Sequence, residues 1–174
     1  MKRFLIGAAA LAGMSLSALA PAQVDRITDA TPYNFSFRGG WVLPIDDDLS
    51  DFADSLIGVG VDYIFPRQFL RGSETFFSVD YIFKSSSGQK GSIFPILLNQ
   101  RFYTDPSTQM GTYWLVGIGA TVVDISSTQT GFGGRFGLGV RMSEQLFLEG
   151  NAFFSEDVNN VRNISVGVYL GYRF

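Results

Sequence analysis

The chain has 174 residues, 46% hydrophobic and 17% charged, with 17 Phe, 20 Gly and a formal net charge of −3. That apolar content excludes a disordered chain, and the mild acidity excludes the basic stripe by which a protein meets nucleic acid, so no nucleic-acid partner is expected. Cys and His are both absent, which removes disulfides, thiol nucleophiles and thiolate metal sites, together with the commonest general base and metal ligand.

The first segment, "MKRFLIGAAALAGMSLSALAPAQ", opens on Lys2 and Arg3, continues apolar from Phe4 to about Ala20, and reaches Ala20-Pro21-Ala22 before Gln23. A basic start, an apolar middle and a small-residue A-x-A site make a secretory signal peptide. Pro21 would be an awkward first mature residue, so cleavage after Ala22 is preferred. As a membrane anchor the same run of Gly, Ala and Ser is weakly hydrophobic and barely long enough. Its removal leaves 11 basic and 16 acidic residues, a net charge of −5. No later apolar run is long enough for a spanning helix, so a membrane-embedded mature chain has to be a barrel. Residues 23–32 form a short polar lead-in, expected in the periplasm.

From Tyr33 onward the pattern has period two, which predicts strands separated by turns. "YNFSFRGGWVL" places Phe35, Phe37, Trp41 and Leu43 on one face and Arg38 on the other. "SLIGVGVDYIF" opposes Ile57, Val59, Val61 and Tyr63 to Gly58, Gly60 and Asp62. "ETFFSVDYIFK" opposes Phe77, Val79, Tyr81 and Phe83 to Ser78, Asp80 and Lys84. "IFPILLNQRFY" is less regular, with Pro95 near its start, Leu98 and Phe102 outward, and Asn99 and Arg101 inward.

"TYWLVGIGATVV" sets Trp114, Val116 and Ile118 outward, and "DISSTQTG" reads as a turn. "FGGRFGLGVRM" opposes Phe136, Leu138 and Val140 to Arg135, Arg141 and the glycines between them. "LFLEGNAFFS" sets Leu146, Leu148 and Phe154 against Glu149 and Asn151, and "ISVGVYLGYRF" closes the chain. About eight segments of roughly 9–11 residues result, the length of a tilted strand crossing a bilayer.

This alternation suits two architectures. A soluble barrel turns its apolar face inward, whereas a membrane barrel turns it toward lipid and fills the bore with polar groups. The polar face here consists of Gly, Ser and Asn with isolated charges of both signs, unlike the dense Lys/Glu mixture of a wetted strand. An interior ion-pair network of Arg38, Asp62, Asp80, Arg101, Arg135, Arg141 and Glu149 is therefore expected. Aromatics gather at the strand ends. Tyr33, Phe65, Phe77, Phe102, Trp114, Tyr172 and Phe174 fall at one rim, and Trp41, Phe83, Phe94, Phe132 and Phe154 at the other, as bilayer interfaces select. The fold class is thus all-β, an eight-stranded antiparallel up-and-down transmembrane β-barrel over residues 33–174, with a filled polar interior and short loops.

With its signal peptide, strand count and last strand "ISVGVYLGYRF", the chain resembles the small eight-stranded outer-membrane barrels of the OmpA/OmpX/OmpW type. The resemblance covers roughly residues 33–174. It implies residence in the bacterial outer membrane among its lipid and lipopolysaccharide. It also implies recognition by the barrel assembly machinery of a C-terminal signal that falls on Val168, Leu170, Tyr172 and Phe174. No soluble domain is expected after the barrel, so peptidoglycan binding is not implied.

Other motifs carry less. "GVG", "GIG" and "GLG" lack the third glycine and following helix of a nucleotide fingerprint, and the glycines read instead as relief of crowding in the bore. Asp46, Asp47, Asp48, Asp51 and Asp54 cluster in an external loop where carboxylates could bridge Ca²⁺ or Mg²⁺. EF-hand spacing is absent, so a solvated acidic loop is the simpler reading. Without His a Ser-His mechanism is impossible. No enzyme and no cofactor is expected. The expected function is structural, or a narrow passage for small solutes, the alternative being a secreted soluble barrel that binds a small apolar ligand.

Overall fold

The computed structural model describes residues 33–46, 53–70, 72–84, 91–105, 110–124, 128–156 and 164–174. Residues 1–32, read from sequence as a signal peptide and lead-in, lie outside them, as do Asp47, Asp48 and Asp51 of the expected acidic loop. Among the described residues every regular element is a strand: β1 (Phe35–Pro44), β2 (Leu56–Ile64), β3 (Ser73–Lys84), β4 (Ser92–Tyr103), β5 (Gly111–Asp124), β6 (Thr128–Arg141), β7 (Leu146–Ser155) and β8 (Ile164–Arg173). None is a helix, so none is long and apolar enough to cross a membrane in that way.

Each strand pairs antiparallel with the next, and β8 returns to β1, closing an eight-stranded up-and-down barrel. At the seam Phe37 faces Tyr172, Gly39 faces Leu170 and Trp41 faces Val168. The pairing runs to the last residue, where the Phe35 and Phe174 backbones exchange N–H···O bonds at 3.3 and 2.9 Å. Closure leaves no unpaired edge, which is the condition for a sheet to exist in hydrocarbon. Both strand termini lie at one end of the barrel, here the terminal end. The connections after β1, β3, β5 and β7 lie at the other, the distal end.

Alternation decides the sides. Along β8, Val166, Val168, Leu170 and Tyr172 are exposed, while Ser165, Gly167, Tyr169, Gly171 and Arg173 are buried. The outer wall is apolar and aromatic. At the terminal end Phe35 stacks on Phe174 with centroids 6.3 Å apart, and Phe102 stacks on Trp114 at 4.2 Å. Toward the distal end Tyr81 stacks on Phe83 at 4.9 Å and on Phe94 at 4.7 Å.

The bore departs from the expected uniformly polar interior. Its distal part is an apolar plug including Val42, Leu56, Ile82, Ile93, Leu97 and Tyr169. A smaller apolar group of Ile64, Phe76, Tyr103, Tyr113 and Leu115 lies toward the terminal end. The reason is steric: an eight-stranded bore is only wide enough for side chains to fill it. Apolar side chains can fill the layers that need no charge balance.

One further difference concerns a strand limit, whereas Pro95 lies near the start of its strand as expected. Residues 128–131, read from sequence within a turn, belong to β6 and pair with β5 as far as Asp124↔Thr128. Their sequence, Thr-Gln-Thr-Gly, has no apolar alternation to reveal them. Pro95 is the fourth residue of β4, between the pairs Val79↔Ile96 and Ile82↔Ile93 of the β3–β4 ladder, which keeps its register across it.

The seam also depends on a close approach. A Cβ at Gly40 would run into the Val168 carbonyl oxygen and Tyr169 Cα of β8, whereas one at Gly39 meets nothing within 4 Å. Gly40→Val is therefore expected to block closure, read as loss of heat-modifiable gel migration after refolding. Gly39→Val is expected to leave that migration intact.

Candidate functional site in the barrel interior

The candidate site is the ion-pair network between the distal plug and the terminal end. It starts on β1, where period two points Ser36 and Arg38 inward. Arg38 is fully buried. Its NH1 donates to Asp62 Oδ1 at 2.5 Å, and its NH2 donates to both oxygens of Asp80 at 2.7 Å. Nε adds a bond to Asp80 Oδ1 at 3.2 Å, and Ser36 Oγ donates to Asp62 Oδ2 at 2.7 Å. Arg38 sits on β1 and Asp80 on β3, so the guanidinium must reach across β2. Gly60 stands between them in register, and a Cβ there would collide with the Asp80 carboxylate. The absent side chain makes the cross-strand fork possible.

Arg135 of β6, also fully buried, links this cluster to the next. Its Nε donates to Asn99 Oδ1 at 3.0 Å, while its NH1 stands 3.7 Å from Asp80 Oδ2 and 4.0 Å from Glu149 Oε1. Asn99 is fixed in turn by donating to Ser78 Oγ and the Leu97 carbonyl, both at 2.9 Å. Glu149 of β7 accepts from Tyr113 at 2.9 Å, Asn151 at 2.9 Å and Arg101 at 3.4 Å.

The terminal-end cluster centres on Glu74 of β3. It accepts from Arg101 at 3.0 Å, Tyr103 at 2.8 Å, and Arg173 at 2.9 and 2.7 Å. Arg141 NH1 lies 4.0 Å away, and its NH2 donates to the Glu144 carbonyl at 2.8 Å. The Arg101 guanidinium lies 4.5 Å from the Phe76 ring centroid and 4.7 Å from that of Tyr113. Aromatic faces attract a desolvated cation, so the rings help to hold the charge inside.

All seven ionisable residues named from the alternation point into the bore, in one connected arrangement. Sequence reasoning passed over Glu74, whose partner is Arg173 of β8. Here the two pair across 99 positions of sequence. The available signal was parity, because Glu74 is in phase with Phe76, Ser78 and Asp80. The bore aromatics Phe147, Phe153 and Tyr169 were also passed over, since aromatics were assigned to the rims. The four residues of the C-terminal pattern, Val168, Leu170, Tyr172 and Phe174, lie on the exposed outer wall.

Every network carboxylate is held by at least one arginine. With their acceptor positions taken up in this way, such groups tie the strands of the wall together. Among the described residues no group of three or more acidic side chains converges on a metal position.

Comparison of the whole barrel with solved structures places it. The N-terminal barrel domain of Pseudomonas aeruginosa OprF superimposes with a TM-score of 0.52 at 16% identity, covering 82% of this chain and 98% of that one. Ail, the attachment invasion locus protein of Yersinia pestis, gives 0.54 at 12% identity, covering 80% and 97%. The fold is that of the small eight-stranded outer-membrane barrels. Neisserial surface protein A gives 0.50 at 13% identity, covering 81% and 97%. No protein-family model matches the chain, and no curated protein is significantly similar in sequence. At such identities the likeness is one of fold.

Within that fold Arg38 is the most heavily engaged cation. Arg38→Met strands two buried carboxylates and is expected to cost about 3–5 kcal/mol, measured by urea unfolding in lipid vesicles. Adding Asp62→Asn and Asp80→Asn is expected to restore part of the loss.

Proposed function

We propose that the chain is an integral outer-membrane β-barrel, exported with cleavage of residues 1–22, whose role is non-enzymatic and structural. The observation that carries this reading is the inverted distribution of polarity. Arg38, Asp80, Arg135 and Glu149 are fully buried, while Trp41 is 73% exposed and Leu138 60% exposed on the outer wall. Water would penalise both halves of that arrangement. A bilayer rewards both, since the wall meets acyl chains and the charges are kept from them.

The same observation opposes the alternative of a secreted soluble barrel that holds a small apolar ligand. Its outer wall would be one continuous apolar surface, larger than soluble monomers carry. Between structure and passage, the filled bore favours structure. A solute would have to cross the apolar plug around Leu56, Leu97 and Tyr169 and then the arginine–carboxylate network. On the outside, the partners are membrane lipid and lipopolysaccharide. During biogenesis, the partner is the assembly machinery, reading Val168, Leu170, Tyr172 and Phe174.

The mature chain is expected to fractionate with outer membranes, to need detergent, and to be silent in planar bilayers after refolding. A soluble monomer would contradict the membrane reading, and steady single-channel conductance would restore the passage. Val168 is 59% exposed near the middle of β8. If it lies near mid-membrane, Val168→Arg is expected to cost about 2–4 kcal/mol, measured by urea unfolding in vesicles.

A further inference from the structure

One place on the outer wall is not smooth. At the terminal end, residues 65–70 and 72 of the connection after β2 are held by the wall. Phe65 N donates to the Thr75 carbonyl at 3.0 Å, Ser73 Oγ donates to the Leu70 carbonyl at 2.6 Å, and Gly72 takes a φ of +73°. Phe65 meets Phe69 edge-on with centroids 5.9 Å apart. Beneath the connection a groove of about 450 Å³ opens on the outside, bordered by Phe65, Phe69 and Leu70 above and Leu98, Val116 and Ile118 on the wall.

Two features make this groove more than a dent in the wall. The polar groups nearest it are already satisfied by one another: Thr75 Oγ1 donates to Gln100 Oε1 at 2.7 Å, and Gln100 Nε2 donates to Ser73 Oγ. Ser73 and Thr75 are buried, so the groove offers almost nothing polar to an occupant. The second feature is charge. Arg67 sits exposed on the connection, between the groove-lining Phe65 and Phe69. From Phe65 to Gly72 the sequence holds two arginines and no carboxylate. The two other terminal-end connections, 104–110 and 142–145, hold no Lys or Arg, and each carries an acid, Asp105 and Glu144.

We propose that this groove is a binding site for one acyl chain of an anionic phospholipid, whose phosphate is met by Arg67. The site rests on the membrane reading above: the lead-in expected in the periplasm joins β1 at the terminal end, so that end faces the periplasmic, phospholipid leaflet. Apolar walls take the chain, and the exposed Arg67 on the rim selects the headgroup. An arginine at a membrane surface favours an anionic lipid by about fivefold.

The test uses the full mature chain refolded into vesicles of phosphatidylglycerol and phosphatidylethanolamine with matched acyl chains. Lipid retained after extraction is read by native mass spectrometry, and folding is checked separately by heat-modifiable migration. Phosphatidylglycerol is expected to be retained about fivefold over phosphatidylethanolamine. Arg67→Gln should remove most of that preference. Val116→Trp or Ile118→Trp, which fill the groove, should reduce retained lipid of both kinds. Leu148→Trp, on the outer wall of β7 away from the groove, should change neither. Folded protein that retains both lipids equally, or retention unaffected by the groove-filling variants, would overturn the site and leave the membrane reading standing. A wild-type chain that never acquires heat-modifiable migration would overturn that reading and the site with it.

Discussion

Pairing of β8 with β1 is the interaction on which the rest depends. Until those two strands meet, the sheet has two edges, and each carries a row of backbone donors and acceptors that hydrocarbon cannot satisfy. Closure satisfies them and also creates an inside. Arg38 and Asp80 approach each other across β2 only because the sheet curves, and Arg173 reaches Glu74 only because the last strand lies beside the first. The seam thus converts a ribbon of alternating residues into a wall with two different solvents.

The narrowness of the enclosed space then sets what can fill it. Inward positions are either small, as at Gly60 beneath the Arg38–Asp80 fork, or large and mutually engaged. Burying charge is costly unless it is paired and further hydrogen-bonded, and around Arg38, Glu74 and Glu149 the bore meets that condition with bidentate arginine contacts, tyrosine hydroxyls and asparagine side chains. Apolar layers complete the filling where no counter-charge is at hand. The outcome is a braced barrel with a lipid-compatible skin, which is the support for the structural role proposed above.

Much of this was legible in the sequence because a period of two leaves a side chain only two faces to choose between. Arg38, Asp62, Asp80, Arg101, Arg135, Arg141 and Glu149 could each be assigned a side without knowing any neighbour. Other features were hidden for physical reasons. Which carboxylate meets which arginine is set by strand register around the whole barrel, so the Glu74–Arg173 pair cannot be read from local spacing. Aromatics fit both the interfaces and the bore, so Phe147, Phe153 and Tyr169 were not placed. The polar start of β6 at Thr128–Gly131 lacked any alternation. The outward trio Ser73, Thr75 and Gln100 is intelligible only once the connection that covers it has been folded over the wall.

The central claim is that the apolar face of this barrel meets lipid and its charged face does not. Because the chain has no cysteine, single cysteines can be introduced cleanly at Trp41, Leu138 and Val168 and spin-labelled after reconstitution into vesicles. The account predicts that membrane-dissolved oxygen broadens all three signals while a water-soluble nickel complex leaves them unaffected. Labels reached by the nickel complex and shielded from oxygen would contradict it.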